Sequence, residues 1–154
     1  MTVREPLRED LLAALLTPAR RAAGLWVPEV TLRDVLSMAS GRMSFVTLPW
    51  DRDRATEKAS CAFAQQMQRR GRATIHRAFD AGSRPAEVPS WAHDVWRTIG
   101  RHAVEAADIV IVPFADPAAL ADDALVAELD AAMAANKPVL WMGPDVPHGR
   151  EGAA

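Results

Sequence analysis

The sequence predicts an α/β fold built on a small, doubly wound parallel sheet. Three observations carry that expectation. Segments of strand length recur at 43–48, 72–79, 109–114 and 138–142, the last two strongly apolar, and helical patterns with one apolar stripe separate them. The run Ile109–Phe114 is apolar without alternation, as a strand covered on both faces must be. Strands joined by helical crossovers pair in parallel, because only a long connection returns the chain to the same end of the sheet.

The elements follow in order. Residues 5–23 read as a helix with Leu11, Leu12, Leu15 and Leu16 on one face, and Thr17-Pro18 is placed to kink or end it. Residues 24–28, GLWVP, read as a break. Thr31 then caps a short helix through Met38, which Ser40-Gly41 stops. Residues 1–41 are too few to close a core of their own, so they form an N-terminal helical extension of the α/β domain, 42–144.

In that domain, Met43–Leu48 is the first strand and Ala55–Arg70 the first crossover helix, ended by Gly71. Arg72–Phe79 is the next strand, and a Gly- and Pro-containing loop, 80–89, follows it. Ser90 caps a helix through Ala106 whose inner face is expected to carry Val95, Ile99 and His102 or Ala103. After Ile109–Phe114 comes a helix over 122–135, with Leu125, Leu129, Ala132 and Met133 inward and Asn136 as its C-terminal stop. Strand Pro138–Met142 completes a sheet of the Rossmann-like or flavodoxin-like kind. Residues 145–154 read as a loose C-terminal tail.

Composition narrows the function classes. At 154 residues with 49% hydrophobic and 25% charged residues, the chain has the make-up of an ordinary globular domain. A net charge of −2 gives no support to a nucleic-acid backbone partner, which needs a basic face, so none is expected, although Arg52, Arg54, Arg69, Arg70 and Arg72 bracket one predicted helix. No apolar run approaches the roughly 20 residues of a membrane span, so no membrane partner is expected either. The single cysteine excludes an internal disulfide framework, and the charged start MTVREPLRED lacks the apolar core of a secretory signal. A cytoplasmic location is the expectation. The four histidines, His76, His93, His102 and His148, show no metal-ligand spacing, so no metal and no cofactor are assigned. Cys61, inside a helix, reads as a small core residue.

The stretch Ala107–Met142 carries the most chemistry. A buried strand leads to a loop with Asp122 and Asp123, then to a helix bearing Glu128, then to a second apolar strand. In open parallel sheets such mouths are where ligands bind. Each residue also has a structural reading. Asp122 or Asp123 serves as an N-cap, Glu128 lies on the border of an apolar stripe, and Asp108 opens a strand. Trp50 is a stacking platform or a packing residue, and Trp26, Trp91, Trp96 and Trp141 belong to core or interface.

The ordered set Ala107-Asp108-IVIV, Asp122, Glu128-Leu-Asp-Ala-Ala132 and Asn136-Lys137-Pro138-Val139 resembles the nucleoside 2-deoxyribosyltransferase superfamily, which includes nucleotide N-glycosidases. In that superfamily an "AD" strand leads to a helix with the nucleophilic glutamate, closed by "KPV", and a polar residue stands six positions before the glutamate. The resemblance covers roughly residues 43–142. It implies Glu128 as nucleophile, Asp122 as a ligand of sugar hydroxyls, and Trp50 as a platform for the base. Arg52 or Arg54, beside Asp53 in FVTLPWDRDR, would meet a 5′-phosphate. It implies a nucleoside or nucleoside monophosphate as the small-molecule partner, and a homo-oligomer.

The sequence departs from the family pattern at Gly100, where an aspartate is usual, at Ala124 and Asp130 in the glutamate helix, and at Thr47–Pro49 in place of loop glycines. Phe45 stands where a tyrosine is frequent. Two functions are therefore carried forward. One is cleavage or transfer at an N-glycosidic bond. The other is a non-catalytic nucleotide-binding or scaffold subunit that keeps the fold.

Overall fold

The computed structural model describes residues 4–49, 54–76 and 90–146; the side chains of 4–9, 54, 90–93 and 96 lie outside that description. Its helices are α1 Arg4–Leu15, α2 Pro18–Ala22, α3 Leu32–Met38, α4 Arg54–Arg69, α5 Ser90–Ala106 and α6 Asp123–Ala134. Its strands are β1 Trp26–Val27, β2 Ser44–Val46, β3 Thr74–His76, β4 Ile109–Val112 and β5 Val139–Trp141. They form one sheet in the order β1-β5-β4-β2-β3. Every pairing is parallel.

The sheet is doubly wound, as expected. Phe45, Val110, Val112, Val139 and Trp141 pack on one face with Leu15 of α1, Ala103 and Val104 of α5, and Leu125, Leu129 and Met133 of α6. Val46, Ile109, Ile111 and Leu140 pack on the other with Val35 of α3 and with Phe63 and Met67 of α4. The sets interleave along each strand because successive side chains of a strand point to opposite faces. Each fully buried Val, Leu or Ile contributes about 1.5–3 kcal/mol. Among the described residues, no helix is long and apolar enough to cross a membrane.

Helix ends follow local chemistry. The predicted helix 5–23 is two helices, because Thr17 caps the second: its Oγ1 accepts from Arg20 N at 3.1 Å, and Pro18 occupies the first turn. Asn136, at φ 59°, takes the left-handed position after α6. Its N–H reaches Met133 O at 3.0 Å while Lys137 N reaches Ala132 O at 2.9 Å, a Schellman stop. Lys137 Nζ then donates to Val104 O and Glu105 O, both at 2.7 Å, at the carbonyl end of α5. Asp108 is structural: its carboxylate accepts from Met43 N at 2.8 Å and ties β2 to β4.

Two expectations are corrected. Residues 24–28 are not simply a break, since Trp26 and Val27 add a fifth strand beside β5. Two residues carry no alternation pattern, so only the partner strand reveals them. The inner face of α5 holds Ala103 as expected, but not Val95, Ile99 or His102. Gly100, Ala103, Val104 and Ala107 are buried, whereas Val95 and Ile99 are 48% and 47% exposed and His102 is exposed. Gly100 and Ala103 let α5 lie close to the sheet, while Val95 and Ile99 turn outward.

The first two residues of the C-terminal segment 145–154 are fixed, while 147–154 lie outside the described residues. Val146 is buried. Asp145 accepts from Trp26 Nε1 at 2.9 Å, from Arg21 Nη1 at 3.0 Å and from Val146 N at 2.7 Å. Partial burial pushes the Asp145 carboxyl up, but the Trp26, Arg21 and Val146 hydrogen bonds outweigh it and hold the group below its ordinary value. A carboxyl lowered in the folded state stabilises fully above the unfolded value, about 4, and that contribution is lost as pH falls through the folded value. Thermal melts from pH 7 to pH 2.5 should therefore show a shallower acid limb for Asp145→Asn than for wild type, and equal slopes would contradict the clamp. Just past the same end of β5, a Cβ on Gly143 would stand 1.9 Å from Ala115 O. Gly143→Ala should cost about 1–3 kcal/mol in urea unfolding, because it pries apart the chain ends of β4 and β5.

Candidate functional site

The strand order dictates where a site can form. β2 feeds α4 on one face of the sheet, and β4 feeds α6 on the other. β2 and β4 are neighbours, so their outgoing chains part and leave a crevice at their carboxyl ends. This is the point at which the strand order reverses.

Glu128 faces this end of the sheet. It is only 7% exposed and shares a buried stripe of α6 with Leu125, Leu129, Ala132 and Met133. Helical spacing, three after Leu125 and four before Ala132, puts it on that stripe. The strand pleat supplies its partner. Thr47 follows β2 and, two residues past Phe45, shares the α6 side of the sheet. Its Oγ1 donates to Glu128 Oε1 at 2.5 Å, and Thr47 is 1% exposed. The Thr47 amide donates to Ile111 O at 3.0 Å, so the hydroxyl is fixed by the β2–β4 ladder itself.

Burying a carboxylate is costly unless it is hydrogen-bonded, and an aliphatic residue would pack there at less cost. The hydrogen bond from a hydroxyl fixed by the sheet holds the Glu128 carboxyl in one orientation.

Glu128 also lines a cavity of about 330 Å³ between α5 and α6, with Arg97, Arg101, Val104, Asp123 and Ala127 among its walls. That volume is at the lower end for small-molecule sites. The cations come from α5. Arg97 pairs with Asp94 at 3.1 Å, and Arg101 follows Gly100, where a carboxylate was expected from the family pattern.

The remaining candidates are placed differently. Asp122 caps α6, accepting from Leu125 N at 3.0 Å. It stands about 9 Å along the axis from Glu128 and about a third of a turn around it. It is Asp123 that borders the cavity. Trp50 and Arg52 lie outside the described residues, and Arg54 opens α4 with its side chain outside them. Among the described residues, no group of three or more His, Cys, Asp or Glu gathers as metal ligands.

Sequence reasoning missed two residues. Thr47 had a legible signal, a hydroxyl at the carboxyl end of an apolar strand with the parity of Phe45. Phe114 had none. It ends the apolar run after β4, yet it is 56% exposed and holds φ 53°, a left-handed backbone that a bulky residue rarely adopts. Its ring meets Phe63 of α4 edge-on, with centroids 6.2 Å apart. Such strain persists where surrounding structure imposes it, and it is concentrated at ligand sites.

Compared with protein-family models, with curated proteins and with solved structures, the chain matches none.

The Thr47–Glu128 pair makes a stability prediction of its own. Thr47→Val leaves a buried carboxylate short of a donor and should cost about 1–3 kcal/mol in urea unfolding. The double variant Thr47→Val/Glu128→Leu, which removes both partners, should recover most of that loss. If the double variant is no more stable than Thr47→Val, burial of the Glu128 carboxyl does not depend on the Thr47 hydroxyl.

Proposed function

We propose that the protein breaks the N-glycosidic bond of a deoxynucleoside or its 5′-monophosphate, passing the sugar to water or to another base, with Glu128 as nucleophile. The observation that carries this reading is the buried Glu128 carboxylate, oriented by Thr47 at the sheet's switch point and bordering a cavity of about 330 Å³. The ordered residues from Ala107 to Val139 that resemble the nucleoside 2-deoxyribosyltransferase superfamily support the same assignment.

In the first step a Glu128 oxygen bonds to C1′ as the C1′–N bond breaks. The base leaves with the electron pair of that bond and takes a proton from solvent. In the second, water or an acceptor base attacks C1′ and gives up its proton to solvent, and the carboxylate departs with the electron pair of the C1′–O bond. Two displacements replace one difficult one, each through a transition state of oxocarbenium character. Thr47 holds the carboxylate in one orientation, so little ordering is left for the reaction itself.

Asp122 would accept from sugar hydroxyls while capping α6. Trp50, or the exposed Phe114 ring, would stack on the base. A 5′-phosphate would be met by Arg52 or Arg54, or by Arg97 or Arg101 at the cavity.

A second reading, a non-catalytic binding or scaffold subunit, is favoured by one observation. Val95 and Ile99 leave an apolar strip on the outer face of α5. Such a strip suits a homo-oligomer contact or a partner helix.

Purified protein incubated with deoxynucleosides and their monophosphates, with and without an acceptor base, should release or exchange base. Glu128→Ala should lower kcat by on the order of 10³-fold or more, with its melting temperature measured in parallel. Asp122→Ala should chiefly raise KM. Mass spectrometry of the quenched reaction should find the sugar on Glu128. No turnover, with ligand binding indifferent to Glu128→Ala, would move the assignment to the scaffold reading.

A further inference from the structure

The other face of the same sheet end carries a second polar cluster. His76 is the last residue of β3 and lies in register with Val46, one residue before Thr47. Its ring points to α4. There Nε2 meets Ser60 Oγ at 3.1 Å, and Nδ1 meets Cys61 Sγ at 3.9 Å, within reach of a sulfur hydrogen bond. Ser60 is fully buried, whereas Cys61 is half-buried and His76 is open to solvent in part. This is not the packed core cysteine that the sequence predicts.

We propose that Cys61, His76 and Ser60 form a thiol-modification site, in which His76 takes the Cys61 proton and the sulfur attacks a soft carbon electrophile. The geometry supports both ends of the proton transfer. With the thiol intact, Nδ1 accepts from Cys61 and Nε2–H donates to Ser60 Oγ. After transfer, Nδ1–H donates to the thiolate and Nε2–H keeps Ser60 as its acceptor. A hydroxyl is donor and acceptor at once, so neither state leaves a ring nitrogen unsatisfied. The buried Ser60 fixes the imidazole, and the half-buried Cys61 leaves the sulfur a path to reagent. Placement adds to this, because the carboxyl end of a parallel sheet is where small molecules are received.

Among the described residues, the charged groups nearest Cys61 along α4 are Glu57 and Lys58, one turn toward the N-terminus. β3 adds none besides His76. Glu57 and Lys58 carry opposite signs, and His76 is a base within hydrogen-bond reach of the thiol.

Cys61 is the chain's single cysteine, so alkylation reads out this site alone. With iodoacetamide, the sulfur bonds to the CH₂ carbon, iodide leaves with the electron pair, and the proton on His76 passes to water. An ordinary thiol is well under 1% ionised at pH 6, so a His-paired thiolate gains in population far more than it loses in nucleophilicity. The folded protein should therefore react about tenfold faster than the urea-unfolded chain at pH 6, and this advantage should disappear by pH 9. His76→Asn, which keeps a partner for Ser60 but provides no base, should abolish the pH 6 advantage, and Ser60→Ala should reduce it severalfold. Folded wild type reacting no faster than unfolded chain at pH 6 would overturn the proposal. So would an advantage that survives in folded His76→Asn. The wild-type ratio decides the matter even if a variant does not fold, and the Glu128 assignment is untouched by either result.

Discussion

The parallel pairing of β2 with β4 is the constraint on which the rest of this molecule depends. β4 comes after β3 in sequence, so the chain must leave the sheet on one side after β2 and on the other after β4. That division opens the crevice. It also seats α4 and α6 on opposite faces, with their N-terminal ends at the carboxyl end of the same sheet. The pleat then sorts side chains without further instruction. Phe45 and Thr47 go toward α6, while Val46 and its register partner His76 go toward α4. Two polar clusters therefore share one sheet end while facing opposite helices.

Glu128 shows how a local rule is broken for a reason. Its position on α6 is one that Leu or Ala would fill at no electrostatic cost, and its neighbours on the stripe are Leu125, Leu129 and Ala132. A buried carboxylate there is tolerated because Thr47 meets it and because Thr47 is itself fixed to Ile111 by the ladder. Conflicts of this kind between patterning and burial cluster where a protein holds reactive groups. Phe114 is a second such conflict, a bulky exposed residue in left-handed backbone on the loop after β4.

The N-terminal residues are joined to this frame through the far strand. β1 extends the sheet beyond β5, and Trp26 lies against Trp141 with ring centroids 5.0 Å apart. Arg20 reaches Asp130 on α6 at 2.7 Å, and Arg21 with Trp26 grips Asp145 past β5. An exposed pair such as Arg20–Asp130 is worth little by itself. The buried indole contact and the strand pairing hold the segment in place.

Sequence alone determined the α/β class, four of the five strands, the ends of the helices and the prominence of Glu128. Those features rest on short-range physics: Thr17 and Asp122 satisfy amides three residues on, Asn136 accepts a left-handed turn, and an unbroken apolar run such as Ile109–Val112 must be covered on both faces. Only the tertiary structure decided which face of α5 is inward, because its Gly100–Ala103–Val104 stripe and its Val95–Ile99 stripe have the same helical period. It also decided that Trp26–Val27 is a strand, since two residues become one only beside β5. Finally, it decided that Thr47 meets Glu128 and His76 meets Cys61. Residues 81 and 15 positions apart come together through strand order and pleat, and neither is written in the local chain.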